Sequence, residues 1–90
     1  MDYRIDEDRI VLVNEEGNDG GEITWALAGD VMIIDHTFVD PTYRSGNYAS
    51  ELVKRMVDYA RDHSYEVLPL CPYARSQFQK HPEYDDVLRK

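Results

Sequence analysis

Along this chain the spacing of hydrophobic and polar residues changes period, and each change predicts an element. Residues 9–14 (RIVLVN) are β-branched and apolar, and residues 3–6 supply a short partner across the acidic turn Asp6-Glu7-Asp8, so the chain is expected to open with a hairpin. Residues 15–21 (EEGNDGG) gather Gly, Asn and Asp, which tolerate positive φ, and a reversal is expected there. From 22 to 27 the pattern alternates, with Ile23, Trp25 and Leu27 on one face and Thr24 and Ala26 on the other, the period of a half-buried strand. Ala28-Gly29-Asp30 turns the chain into residues 31–39 (VMIIDHTFV). That segment is apolar apart from Asp35, His36 and Thr37, the pattern of a central strand covered on both faces.

The period then lengthens. Pro41 stops the strand, and residues 47–63 place Ala49, Leu52, Val53, Met56, Val57 and Ala60 at i, i+3, i+4, i+7, i+8 and i+11, the apolar stripe of an amphipathic helix. Its opposite face is charged, with Glu51 and Arg55 at the favourable i,i+4 spacing. Residues 66–70 (EVLPL) read as a further strand, and Pro72 suits the first turn of a second helix running to about Lys80. A short tail follows to Leu88. The predicted class is α/β with a mixed (α+β) sheet: an antiparallel meander, a strand-helix-strand crossover with parallel strands, and a C-terminal helix. This topology puts the turns after Val39 and Leu70 at one end of the sheet, where a ligand site is expected.

Composition narrows the functional classes. Ninety residues fill a single domain, 1–90, with no room for a second. The 42% apolar content supplies a lean core and excludes the disordered compositions. A net charge of −8 opposes general affinity for nucleic acid or anionic membrane, since both are polyanions recognised by clustered Lys and Arg. The lone cysteine, Cys71, forms no internal disulfide, and neither a long apolar run nor a basic leader is present, so the expected compartment is the cytoplasm and the expected state a monomer or weak homodimer. The three histidines and Cys71 are too far apart in sequence for a local zinc motif, and no metal is expected.

Chemistry concentrates at that shared end. Thr42-Tyr43-Arg44-Ser45-Gly46-Asn47 joins strand to helix, where unpaired first-turn amides and the helix dipole suit a phosphate-sized anion. Arg44 adds a guanidinium fork, Gly46 a close backbone approach, and Asn47 either a cap or a residue at positive φ. The alternative for the same residues is an ordinary capped turn. Cys71, just before Pro72, stands where a helix dipole stabilises a thiolate, and it is equally a small residue filling a strand end. His36 is either a general base or a core histidine satisfied by its neighbours. Tyr43, Tyr73 and Tyr84 are candidate proton donors that spacing does not separate, while His63 and His81 read as a helix-end and a tail residue.

The stretches HTFVDPTYRSGNYASELV and LPLCPYARSQFQKHPEY resemble, in that order, the two motifs of the small GNAT-like (YidJ-type) N-acetyltransferase family. In that family a strand ending His-Thr-x-Val-x-Pro leads to Arg-Gly-x-Gly-x-Ala and a helix. A later strand is followed by Pro-x-Cys-Pro-aromatic and then His-Pro-Glu-Tyr. The resemblance implies a trimmed GNAT fold with acetyl-CoA as cofactor. Its pyrophosphate would meet the backbone of Arg44, Ser45, Gly46, Asn47, Tyr48 and Ala49, and its pantetheine would run beside Thr37, Phe38 and Val39. Cys71, His36 and Tyr73 become the catalytic candidates. Both family glycines are replaced here, by Ser45 and Asn47. The implied activity is acetyl transfer from the CoA thioester to an unidentified amine, for which an acidic surface favours a cationic acceptor. The other reading is a non-catalytic module that binds acyl-CoA or a protein on the same scaffold.

Overall fold

The computed structural model describes residues 1–44 and 46–89. Five strands form one sheet in chain order: β1 (Asp2–Ile5), β2 (Arg9–Val13), β3 (Asp19–Ala28), β4 (Val31–Val39) and β5 (Glu66–Pro69). The first four pair antiparallel, and β5 joins β4 in parallel after the helix α1 (Tyr48–Asp62). A second helix, α2 (Pro72–Lys80), and a 3-10 turn at Pro82–Tyr84 complete the chain. The meander, the parallel crossover and the C-terminal helix are those expected from the pattern.

The boundaries follow local chemistry. Gly17 at φ +83° lies in the reversal closed by Asn14, whose side-chain oxygen accepts from the amides of Glu16 and Asn18. That reversal is shorter than residues 15–21, because Asp19, Gly20 and Gly21 already belong to β3. Gly21 is fixed there by packing, since a Cβ would stand 2.6 Å from the Phe38 carbonyl oxygen on β4.

One face of the sheet carries the core. Ile10 and Leu12, Ile23 and Trp25, Met32 and Ile34, and Val67 meet the stripe Leu52, Val53, Met56, Val57 and Ala60 of α1, with Ala74 and Phe78 of α2 alongside. The chain's end is fastened to this layer: Val67 and Leu88 form a bridge, and the Arg61 guanidinium grips Asp86 with two bonds of 2.8 Å. Leu27 keeps the expected alternation but is 46% exposed.

Two expectations for β4 need correction. It is covered on one face rather than two, because the opposite face carries Asp35, His36 and Phe38, all exposed. It also contains a bulge: Trp25 pairs with Ile34 but Thr24 with His36, leaving Asp35 as an extra residue. The extra residue reverses the alternation. Met32 and Ile34 point to the core before it, Val39 does so after it, and His36 is turned out to solvent instead of sitting among core side chains. Among the described residues, no helix is long and apolar enough to cross a membrane.

Candidate functional site

The site begins where β5 leaves β4. Their pairing runs only from Val31↔Glu66 to Ile34↔Pro69, and the amides of both Leu70 and Cys71 end on the Ile34 carbonyl at 3.0 Å. Above this point the chain of β5 turns into α2, while β4 continues for five residues without a strand on that side. Proline at the end of β5 fits this termination, because it has no N–H to extend a ladder.

A cavity of about 520 Å³ fills the gap. Thr37, Phe38 and Val39 form its β4 wall; Arg44, Gly46, Asn47, Ala49 and Ser50 come from the loop and first turn of α1; Tyr73 and Gln77 come from α2. The loop is held by Asp40, whose carboxylate accepts from the Thr42 amide at 2.9 Å, a bond that lowers its pKa below the usual carboxylate value. Arg44 is anchored through Nε to the Val39 carbonyl at 2.9 Å and reaches over the Phe38 ring.

The start of α1 fits an anion. Asn47 is the N-cap, yet its side chain makes no capping bond, so the first-turn amides of Tyr48, Ala49 and Ser50 carry no side-chain cap from it. Asn47 sits at φ −94°, so neither role expected of it is met: it does not adopt positive φ, and its side chain makes no capping bond. The Gly46 amide is already taken by the Tyr43 carbonyl at 3.2 Å. A Cβ at Gly46 would stand 2.6 Å from the Tyr48 ring, which would have to rotate away. Ser45 lies outside the described residues.

Cys71 is the N-cap of α2 and is 7% exposed. Its Sγ is 3.5 Å from the Thr37 hydroxyl. Burial pushes the thiol pKa up, but the Thr37 hydroxyl and the backbone amides of Ala74, Tyr73 and Thr37 outweigh it, and the net result is a thiol below its ordinary value.

The tyrosines separate. Tyr73 faces the cavity, and desolvation raises its pKa, which keeps the phenol protonated. Tyr43 instead accepts from Asn14 Nδ2 at 3.1 Å, and Tyr84 is buried against Phe78. His36 is stacked beside Phe38 on the exposed face and is not part of the cavity lining. His63 caps α1 and stacks on Tyr59, and His81 precedes the tail turn. Among the described residues, no group of three His, Cys, Asp or Glu side chains could hold a metal ion.

Gln77 and Ser50 were missed by sequence reasoning. Gln77 had a signal: it interrupts the apolar spacing Ala74, Gln77, Phe78 on a helix whose other inward residues are small or aromatic.

A meander whose last strand parts from a parallel neighbour beside a helix start is the arrangement that the resemblance to N-acetyltransferases led us to expect. The family model described as GCN5-related N-acetyl-transferase matches residues 2–87, and the chain belongs to that family. Such enzymes use acetyl-CoA. The chain is similar to a GCN5-like N-acetyltransferase candidate from Staphylococcus aureus solved by NMR, with TM-score 0.79 and 25% identity over 98% of this chain and 87% of that one. It also resembles an acetyltransferase from Bacillus cereus (TM-score 0.62, 27% identity, 68% of this chain and 44% of that one). A GNAT family N-acetyltransferase from Escherichia coli, solved in complex with CoA, shares the fold at TM-score 0.65 and 23% identity, covering 74% of this chain and 43% of its own. Among curated proteins there is no match.

Proposed function

We propose that this domain binds acetyl-CoA in the cavity between β4, α1 and α2 and passes the acetyl group to an amine. One observation carries the reading: a single cavity is lined by the first turn of α1, which Asn47 leaves without a side-chain cap, by Arg44, by Tyr73 and by the end of β4 that β5 does not pair. The bound cofactor supplies a thioester carbonyl for the amine to attack, the C–N bond forming as the C–S bond breaks.

The chain's own residues divide the remaining work. Amides of Tyr48, Ala49 and Ser50, the helix dipole and Arg44 hold the diphosphate. Thr37, Phe38 and Val39 align the pantetheine along the strand edge. Tyr73, kept protonated by burial, gives its proton to the departing thiolate. His36, exposed beside Phe38 and outside the cavity lining, is the base assigned to an amine that approaches over that face. Solvated carboxylates over the acidic surface favour a cationic acceptor.

The hydrogen bonds around Cys71 favour a second route, in which its thiolate accepts the acetyl group, releases CoA and then yields the group to the amine. Titration with acetyl-CoA, followed by heat of binding and thermal shift, tests the shared step; an amine panel then tests turnover. Saturable binding with turnover supports the transferase, binding without turnover on any amine leaves a CoA-binding module, and no binding at millimolar ligand removes both. Intact mass after incubation separates the routes, since only the second adds an acetyl group that Cys71→Ser abolishes.

A further inference from the structure

Gln77 stands apart from every other buried side chain. It is 5% exposed, and among the described residues it is the only polar or charged side chain in the buried set. No described residue hydrogen-bonds its carboxamide. Nor are its amide atoms sealed in the core, since among the described residues the fully occluded side-chain polar atom without a partner is Trp25 Nε1. What exposure Gln77 keeps opens onto the cavity it lines with Tyr73, one helical turn before it.

No described residue holds this carboxamide, so a ligand that displaces solvent from the cavity meets an unclaimed donor and acceptor there, where leucine would offer neither. The missing partner has a definite chemistry. A carboxamide offers a donor and an acceptor side by side, the complement of a secondary amide. A charged partner is better served at Arg44, the one charged residue in the cavity wall. Gln77 lies four residues beyond Tyr73, a rise of about 6 Å along α2 at 1.5 Å per residue, so its carboxamide stands apart from the phenol assigned to the thioester.

We infer that Gln77 is a positioning residue that pairs with a secondary amide of the pantetheine arm and fixes how far the thioester reaches toward Cys71 and Tyr73. This rests on the acetyl-CoA reading above and adds to it a contact made from the α2 wall. It predicts equal recognition of CoA and acetyl-CoA by Gln77, because the paired amide lies away from the acyl group.

The test is calorimetric titration of the full chain and of Gln77→Leu with three ligands: CoA, acetyl-CoA and adenosine 3′,5′-bisphosphate, which has no pantetheine. The expected result is a loss on the order of five- to tenfold in affinity for both pantetheine-bearing ligands, the scale of one net hydrogen bond, with the bisphosphate unchanged and the thermal midpoint equal or higher. Gln77→Met, which keeps an unbranched chain, serves if the leucine variant does not fold and should show the same split. Unaltered CoA affinity in the variant overturns the role of Gln77 while leaving the acetyl-CoA reading intact. An equal loss for the bisphosphate overturns it too, by placing the effect at the nucleotide end. A wild-type protein that binds none of the three overturns the reading and the inference together.

Discussion

The two halves of β4 make opposite use of the same extended backbone. Over Val31 to Ile34 the strand lies between β3 and β5, and its inward side chains Met32 and Ile34 are fully buried. Over its last five residues it has β3 alone, and Thr37, Phe38 and Val39 border a cavity. The closed half contributes stability, whereas the open half gives up packing so that a strand edge can meet a ligand. Two local features create the difference, the extra residue Asp35 and the proline that ends β5.

Injuring the closed half alone should produce the largest effect. Ile34→Ala removes a fully buried side chain and should lower unfolding free energy by about 2–5 kcal/mol in urea titration, while acetyl-CoA affinity of the folded protein stays within about twofold. Arg44→Met injures the open half. Losing the proposed charge-assisted bond to the diphosphate, about 1.5–3 kcal/mol, should weaken acetyl-CoA binding tenfold or more and flatten its salt dependence, while the lost bond to the Val39 carbonyl lowers the thermal midpoint slightly. Gly46→Ala forces the Tyr48 ring to rotate away from the loop, and the displaced ring should reduce affinity by about two- to threefold.

The smallest effect is one of pH. Thr37→Val removes the hydroxyl that favours the Cys71 thiolate, so the pH midpoint for alkylation by iodoacetamide should move upward from its lowered wild-type value. The sign follows from the direction of the shift. A depressed folded-state pKa means that the thiolate form, and the stability linked to it, is present above the unfolded thiol pKa and is lost as pH falls through the folded one. A midpoint that does not move would show that the backbone amides alone set the thiol's acidity.

The closed half was legible in the sequence because it is written in periods. The stripe from Leu52 to Ala60 and the alternation of Ile23 and Trp25 were read directly, and their residues form the core. The start of α2 was legible from Pro72, which fits only the first turn of a helix. The open half was legible as a loop and helix start but not in its detail. A bulge leaves no mark on hydrophobic spacing when the extra residue is polar in a segment already broken by polar residues, so the outward turn of His36 at Asp35 was hidden. The separation of Tyr73 from Tyr43 and Tyr84 depends on where α2 and the tail pack against the sheet, a long-range fact that no local window holds. Gln77 did leave a mark, as a carboxamide in an apolar stripe, and such an interruption can be sought in other short helices.

Backbone amide shifts recorded by heteronuclear NMR during titration with acetyl-CoA bear most directly on the central claim, that the open end of β4 and the first turn of α1 form one ligand site. The expected result is a saturable set of shifts at Thr37 to Val39, Gly46 to Ser50, Tyr73 and Gln77, with residues Val31 to Ile34 of the closed half unmoved. Shifts confined to the exposed face around Thr24 and Ile33, or no shifts with ligand in large excess, would contradict it.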